Sequence, residues 1–171
     1  METKNMTVEN IVEFRLPRYK ELPDVGLYLE QVTKYINSFL EPLGCMEITP
    51  SMISNYVKKG LIKSPVKKQY DASQLAELFF VVLAKSVLSI DNIGIMFDMM
   101  QEKYTHPVAY DYFCTEFENR LFYVFGIKEE VKPTGVTNSE VKSMLDEIIT
   151  AMTNVIHLEF CFSSYHEHED K

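Results

Sequence analysis

The chain has 171 residues, of which 46% are hydrophobic and 12% aromatic, and its net charge is −8. Such a composition excludes a disordered chain and is enough for one domain, or two small ones, around a sizeable core. No uncharged apolar run approaches ~20 residues, so no membrane span is expected.

The first segment, METKNMTVENIVEF, lacks the basic-then-apolar order of a signal sequence and reads instead as a short leading helix over 7–14. Cys45, Cys114 and Cys161 are odd in number and far apart, as expected of a reduced, cytoplasmic protein without a cysteine metal site. Next comes RLPRYKELPD, whose Arg15, Arg18 and Lys20 suit either a DNA backbone or a solvated linker. A long helix is expected from about Asp24 to Leu40, with Leu27, Val32, Tyr35, Ile36 and Phe39 facing inward.

Residues 48–78, ITPSMISNYVKKGLIKSPVKKQYDASQLAEL, carry the densest local information. Thr49 and Pro50 supply an N-cap hydroxyl and a first-turn proline. A helix over 50–59 follows and stops at Gly60, a residue suited to the left-handed position after a helix. Ile53, Tyr56, Val57 and Leu61 make its apolar stripe, while Ser51, Ser54, Asn55 and Lys58 fall on the opposite face beside Lys59. That division fits a recognition helix, whose front reaches base edges while its back packs on a scaffold.

Residues 61–63 and 67–70 are expected to pair as a two-stranded wing across Ser64-Pro65-Val66, placing Lys63, Lys67 and Lys68 on phosphates. Asp71 and Gln74 have capping-box spacing and open a scaffold helix over 72–87, apolar at Leu75, Leu78, Phe79, Val82 and Leu83.

The string TPSMISNYVKKGLI…KKQYDASQLAEL resembles the MerR-type winged helix-turn-helix over about residues 45–100. Tyr56, Gly60-Leu61-Ile62, Lys68 and Tyr70 stand at that family's helix aromatic, glycine turn, wing base and wing tyrosine. SVLSIDNIGIMF, at 86–97, resembles its next helix. Ser54-Asn55-Tyr56 replaces the usual Arg-Tyr pair, and Val66-Lys67-Lys68-Gln69-Tyr70 lacks the usual wing glycine. Most of the chain, including LPRYKELPDVGLYLEQVTKYIN, is also similar to a bacterial family catalogued as domain of unknown function 1836, which implies no mechanism.

The remainder reads as helical. Ser89 caps a helix over 90–103, whose Met96, Met99 and Met100 suit core or partner packing. Residues 106–126 are rich in Tyr and Phe, fit for a buried face, a dimer face or a pocket for an apolar or cationic ligand. A polar connector, 128–138, leads to a helix that opens at Thr137 or Asn138 and runs to about 160. In it Val141, Leu145, Ile148, Met152 and Val155 repeat by four and three, the spacing of a dimer seam. His166 and His168 lie in a tail expected to be solvated.

Charge is segregated along the chain. Residues 48–70 hold five lysines and no acid, whereas residues 105–171 hold twelve acids and five bases. No Gly-rich phosphate loop, G-x-S-x-G or H-E-x-x-H occurs, so neither an enzyme nor a bound cofactor is expected.

The expected fold is therefore all-α with a small two-stranded β wing. Residues 1–103 would form a winged helix-turn-helix DNA-binding region and 104–171 a helical region for dimerisation or sensing. The expected function is transcriptional regulation through double-stranded DNA, as a homodimer, with a small-molecule effector and no membrane. Its DNA-contacting residues would be Ser51, Ser54, Asn55, Tyr56, Lys58, Lys59, Lys63, Lys67, Lys68 and Tyr70. A winged-helix module that binds another protein instead remains open, because fold alone does not fix function.

Overall fold

The computed structural model describes residues 6–44, 46–132 and 139–169. Its helices are α1 (Val8–Val12), α2 (Leu29–Leu40), α3 (Pro50–Lys58), α4 (Ala72–Ala84), α5 (Ile90–Gln101), α6 (His106–Val124) and α7 (Glu140–Glu169). Two single-turn 3-10 helices (Tyr19–Glu21 and Glu41–Leu43) and two short strands, β1 (Leu27–Tyr28) and β2 (Gln69–Tyr70), complete the described elements, and the protein is mainly helical with a small antiparallel sheet. Cys45 and the helix start expected at Thr137 or Asn138 lie outside the described residues.

Helix α4 organises the molecule. It is apolar around most of its circumference, and every residue from Leu78 to Ala84 is buried. A helix of this kind is stable only when other elements cover all its sides. Here α2 covers one side, where Tyr35 and Phe39 meet the Phe79 ring edge-on at 6.2 and 5.9 Å. Helices α5 and α6 cover another through Phe97 and Phe113, whose rings lie 5.6 and 5.1 Å from that of Phe80. The core is continuous across the boundary expected at 103/104, because Tyr110, Phe113 and Phe117 of α6 belong to it.

The segment before β1 is strapped along α6. Arg18 grips Glu118 through both guanidinium nitrogens at 2.7 and 2.9 Å, and the same carboxylate accepts from the Leu16 N–H at 3.0 Å. Tyr110 donates its hydroxyl to the Pro17 carbonyl at 2.8 Å, and Asp111 accepts from the Tyr19 N–H at 2.8 Å. Arg15 pairs with Glu21. Neither arginine is therefore a free cation for a phosphate. Cys114 lies under this strap, and burial pushes its thiol up to about 12, as suits an inert structural thiol.

Helix α7 runs parallel to α6. Ser139, just before its first turn, meets Tyr104 in the loop before α6, its second turn meets Tyr112 through Asp146, and His157 and Phe160 pack on Phe125. Of the five positions read as a dimer seam, Val141, Leu145 and Met152 are buried within the chain, and Ile148 and Val155 are half-buried. The heptad pattern thus serves intramolecular packing at three positions, since periodicity does not specify whose surface an apolar stripe covers. The helix also continues past residue 160 to Glu169, carrying His166 and His168 as exposed helical residues.

The sheet differs from the expected wing. Gln69–Tyr70 pairs with Leu27–Tyr28, in the register Leu27 with Tyr70 and Tyr28 with Gln69, and not with residues 61–63. The reason is local: the N–H groups of Leu61 and Ile62 are already bonded to the Tyr56 carbonyl at the end of α3. The carbonyl of Lys63 is taken by the Gln74 side chain, and Pro65 has no N–H to offer. Strand β1 in turn delays the start of α2 from the expected Asp24 to Leu29. Gly26 permits this close pairing, because a Cβ there would lie 2.7 Å from Cβ of Gln69.

Candidate nucleic-acid interface

Helix α3 forms as its sequence dictates. Thr49 Oγ1 accepts from the Met52 N–H at 3.2 Å, and Pro50 occupies the first turn, where no donor is needed. At its other end Gly60 adopts φ +76°, with Gly60 N–H on Val57 O and Leu61 N–H on Tyr56 O, the paired bonds of a Schellman stop. Ile53 and Tyr56 are buried and hold the back of the helix on the core.

Two side-chain clamps fix the approach to α3. The Asn37 amide donates to the Ile48 carbonyl at 2.8 Å and accepts from the Ile48 N–H at 2.9 Å. Lys85 Nζ donates to the Glu47 carbonyl at 2.9 Å, and burial lowers the pKa of this ammonium. The front of α3 is left open: Ser51, Ser54, Asn55 and Lys58 are exposed together, with Lys59 at the C-cap.

The connection to α4 carries the other three lysines. Lys63 is exposed while its carbonyl is held by Gln74 Nε2 at 2.9 Å. Gln74 also accepts from the Asp71 N–H at 2.8 Å and donates its own N–H to Asp71 at 3.0 Å, so the expected capping box is present. Its grip on Lys63 is a second role that the capping spacing does not disclose.

Beyond Pro65 the chain reverses between Val66 and Gln69, which exchange two backbone bonds of 3.1 and 2.9 Å. Lys67 and Lys68 are the central residues, at φ +51° and +65°. Positive φ at both central positions is the pattern of a type I′ turn, which ordinarily uses Asn-Gly. A side chain there costs of order 1 kcal/mol. Lys67→Asn/Lys68→Gly is expected to stabilise the fold by about 1 kcal/mol in urea denaturation. A loss of stability would mean that the lysine side chains make a contact the turn needs.

The structure therefore brings Ser51, Ser54, Asn55, Lys58 and Lys59 together on α3, and Lys63, Lys67 and Lys68 onto one connection. Among the described residues none of these five lysines enters an ion pair. Tyr56 and Tyr70, expected at the interface, are placed in the core instead, each 4% exposed, and burial raises the pKa of both hydroxyls. Their aromatic spacing marks scaffold positions, since the apolar face of an anchored helix or strand must turn inward.

No described helix is long and apolar enough to cross a membrane, and no group of three or more metal-ligating side chains is gathered among the described residues. No curated protein and no solved structure matches the chain. One family model, described as a domain of unknown function (DUF1836), matches residues 17–113, and with more than half its length so matched the chain belongs to that family.

Proposed function

We propose that the protein is a sequence-specific DNA-binding regulator of transcription, with α3 in the major groove and the Val66–Gln69 turn on the phosphate backbone as a compact wing. The observation that carries this reading is the exposed lysine set of residues 48–70, which contain no acid, in a chain of net charge −8. Exposed cations outside any ion pair on an otherwise acidic protein favour a polyanion at that face. Asn55 has the amide that reads adenine, Ser51 and Ser54 are short enough to reach base edges, and the lysines act as point charges on phosphates. The MerR-type resemblance belongs to this reading. So does a homodimer bound to paired half-sites, for which Ile148 and Val155 remain half-exposed.

Binding of the purified protein to pooled genomic fragments across a salt series tests the proposal. Five phosphate lysines predict a log–log salt slope of about −4.5 per protomer. Lys58→Glu/Lys59→Glu is expected to abolish retention. Lys67→Asn/Lys68→Gly should flatten the slope by about two while making the fold more stable. No retention at low salt by the folded wild-type protein would sink the DNA reading, and an unchanged slope in the turn variant would remove the wing from it.

A further inference from the structure

Glu77 is the one acid in the apolar run from Leu75 to Leu83 of α4. Its side chain is 14% exposed and stands in a cleft with Phe80, Phe97, Tyr110 and Phe113. Its two oxygens differ in their surroundings. Gln101 Nε2 and His106 Nε2 both approach the same oxygen, Oε1, at 3.5 and 3.2 Å, and Oε2 accepts no hydrogen bond among the described residues. Burial raises the pKa of this carboxyl, although His106 and the more distant charge of Lys63 act against the shift. An imidazole supplies a positive charge only when protonated.

The cleft is a small cavity of about 40 Å³ and adjoins a larger one of about 180 Å³. Met100, Tyr104 and Ala109 line both. The smaller suits a group of water size, and apolar cavities near 150 Å³ are known to hold benzene. The larger cavity is bounded by Val108, Tyr112, Val141 and Leu145, and by Lys142, whose ammonium lies over the Tyr112 ring.

We propose that the paired cavities bind a small organic amine with one cationic end, the ammonium on Glu77 and the apolar body in the larger space. The carboxylate supplies the charge, the surrounding rings supply cation–π attraction, and the larger cavity removes apolar surface from water. Lys142 in the lining of the larger cavity disfavours a second positive group, so a diamine fits less well than a monoamine. The site joins α4, the helix beneath the lysine face, to α6 and α7, and would suit an effector. Amine binding itself does not rest on the DNA reading and is measured without nucleic acid.

Calorimetric titration of the full chain with 2-phenylethylamine and its neutral counterpart 2-phenylethanol tests the assignment. The amine is expected to bind at least tenfold more tightly than the alcohol, and Glu77→Gln is expected to erase that preference. Ala109→Met, which fills the wall shared by the two cavities, should weaken both compounds. Methyl chemical shifts of Met100 in the wild-type chain locate the amine independently of any variant. Equal affinity for the two compounds, a preference that survives Glu77→Gln, no binding at millimolar concentration, or shifts confined to other methyls would each overturn the proposal.

Discussion

Truncating Phe79 to alanine is expected to cost about 4 kcal/mol of folding stability. Phe79 is fully buried, and its ring touches those of Tyr35, Phe39 and Tyr110, which belong to α2 and α6. The loss has two parts: the transfer energy of the ring, and the contacts forfeited around a hole that three aromatic neighbours cannot all collapse to fill. For a chain of this length such a loss lowers the melting temperature by about 8–16 °C. Phe162→Ala is the control. Its ring is 62% exposed near the end of α7, and its removal should change stability by no more than about 0.5 kcal/mol. Similar costs for the two variants in calorimetry would show that α4 is not the centre of the core.

Arg18→Ala is expected to cost about 3 kcal/mol, because it strands a carboxylate that the fold has largely withdrawn from water. Glu118 is 12% exposed and Arg18 25%, so the pair is much better shielded from solvent than the Arg15–Glu21 pair on the surface. The penalty is that of an uncompensated buried charge, and not the net worth of the ion pair. Arg18→Met/Glu118→Gln should therefore recover at least half of the loss. It replaces the guanidinium stem with an apolar chain and keeps an acceptor for the Leu16 N–H. Arg15→Ala should cost less than about 1 kcal/mol. Urea denaturation of the wild-type chain and these three variants separates the cases, and a double variant no better than Arg18→Ala would refute the stranded-charge account.

What the sequence discloses of this fold is what short-range chemistry decides. The caps at Thr49, Ser89 and Asp71–Gln74 and the glycine stop at Gly60 each depend on residues within one or two turns, and the structure has all of them. The exposed front of α3, with Ser51, Ser54, Asn55 and Lys58, follows from helical spacing alone. Strand β2 is a different case, because its partner lies some forty residues upstream and is chosen by which N–H groups remain unused after Leu61 and Ile62 have closed α3. Lys67 and Lys68 defeat local turn rules, which assign positive φ to Asn and Gly and so place the reversal at Ser64-Pro65-Val66 instead. The pattern of Val141, Leu145 and Met152 is visible in sequence but silent on its partner, which proves to be this chain's own core. Glu77 carries a signal, a lone acid inside an apolar helix, yet the meaning of that acid depends on helices that follow it.

The strap that ties residues 16–19 to α6 also bears on how the protein is made. Arg18 and Glu118 are separated by 100 positions, so the ion pair cannot close until α6 has left the ribosome. At about 5–20 residues per second, translation leaves on the order of 5–20 s between the two partners. Throughout that interval the apolar sides of α4 that α6 will cover, Phe79 and Phe80 among them, remain open on the nascent chain. A stalled or truncated product ending near residue 103 would display that surface permanently, and chaperones and proteases would recognise it as unfinished protein.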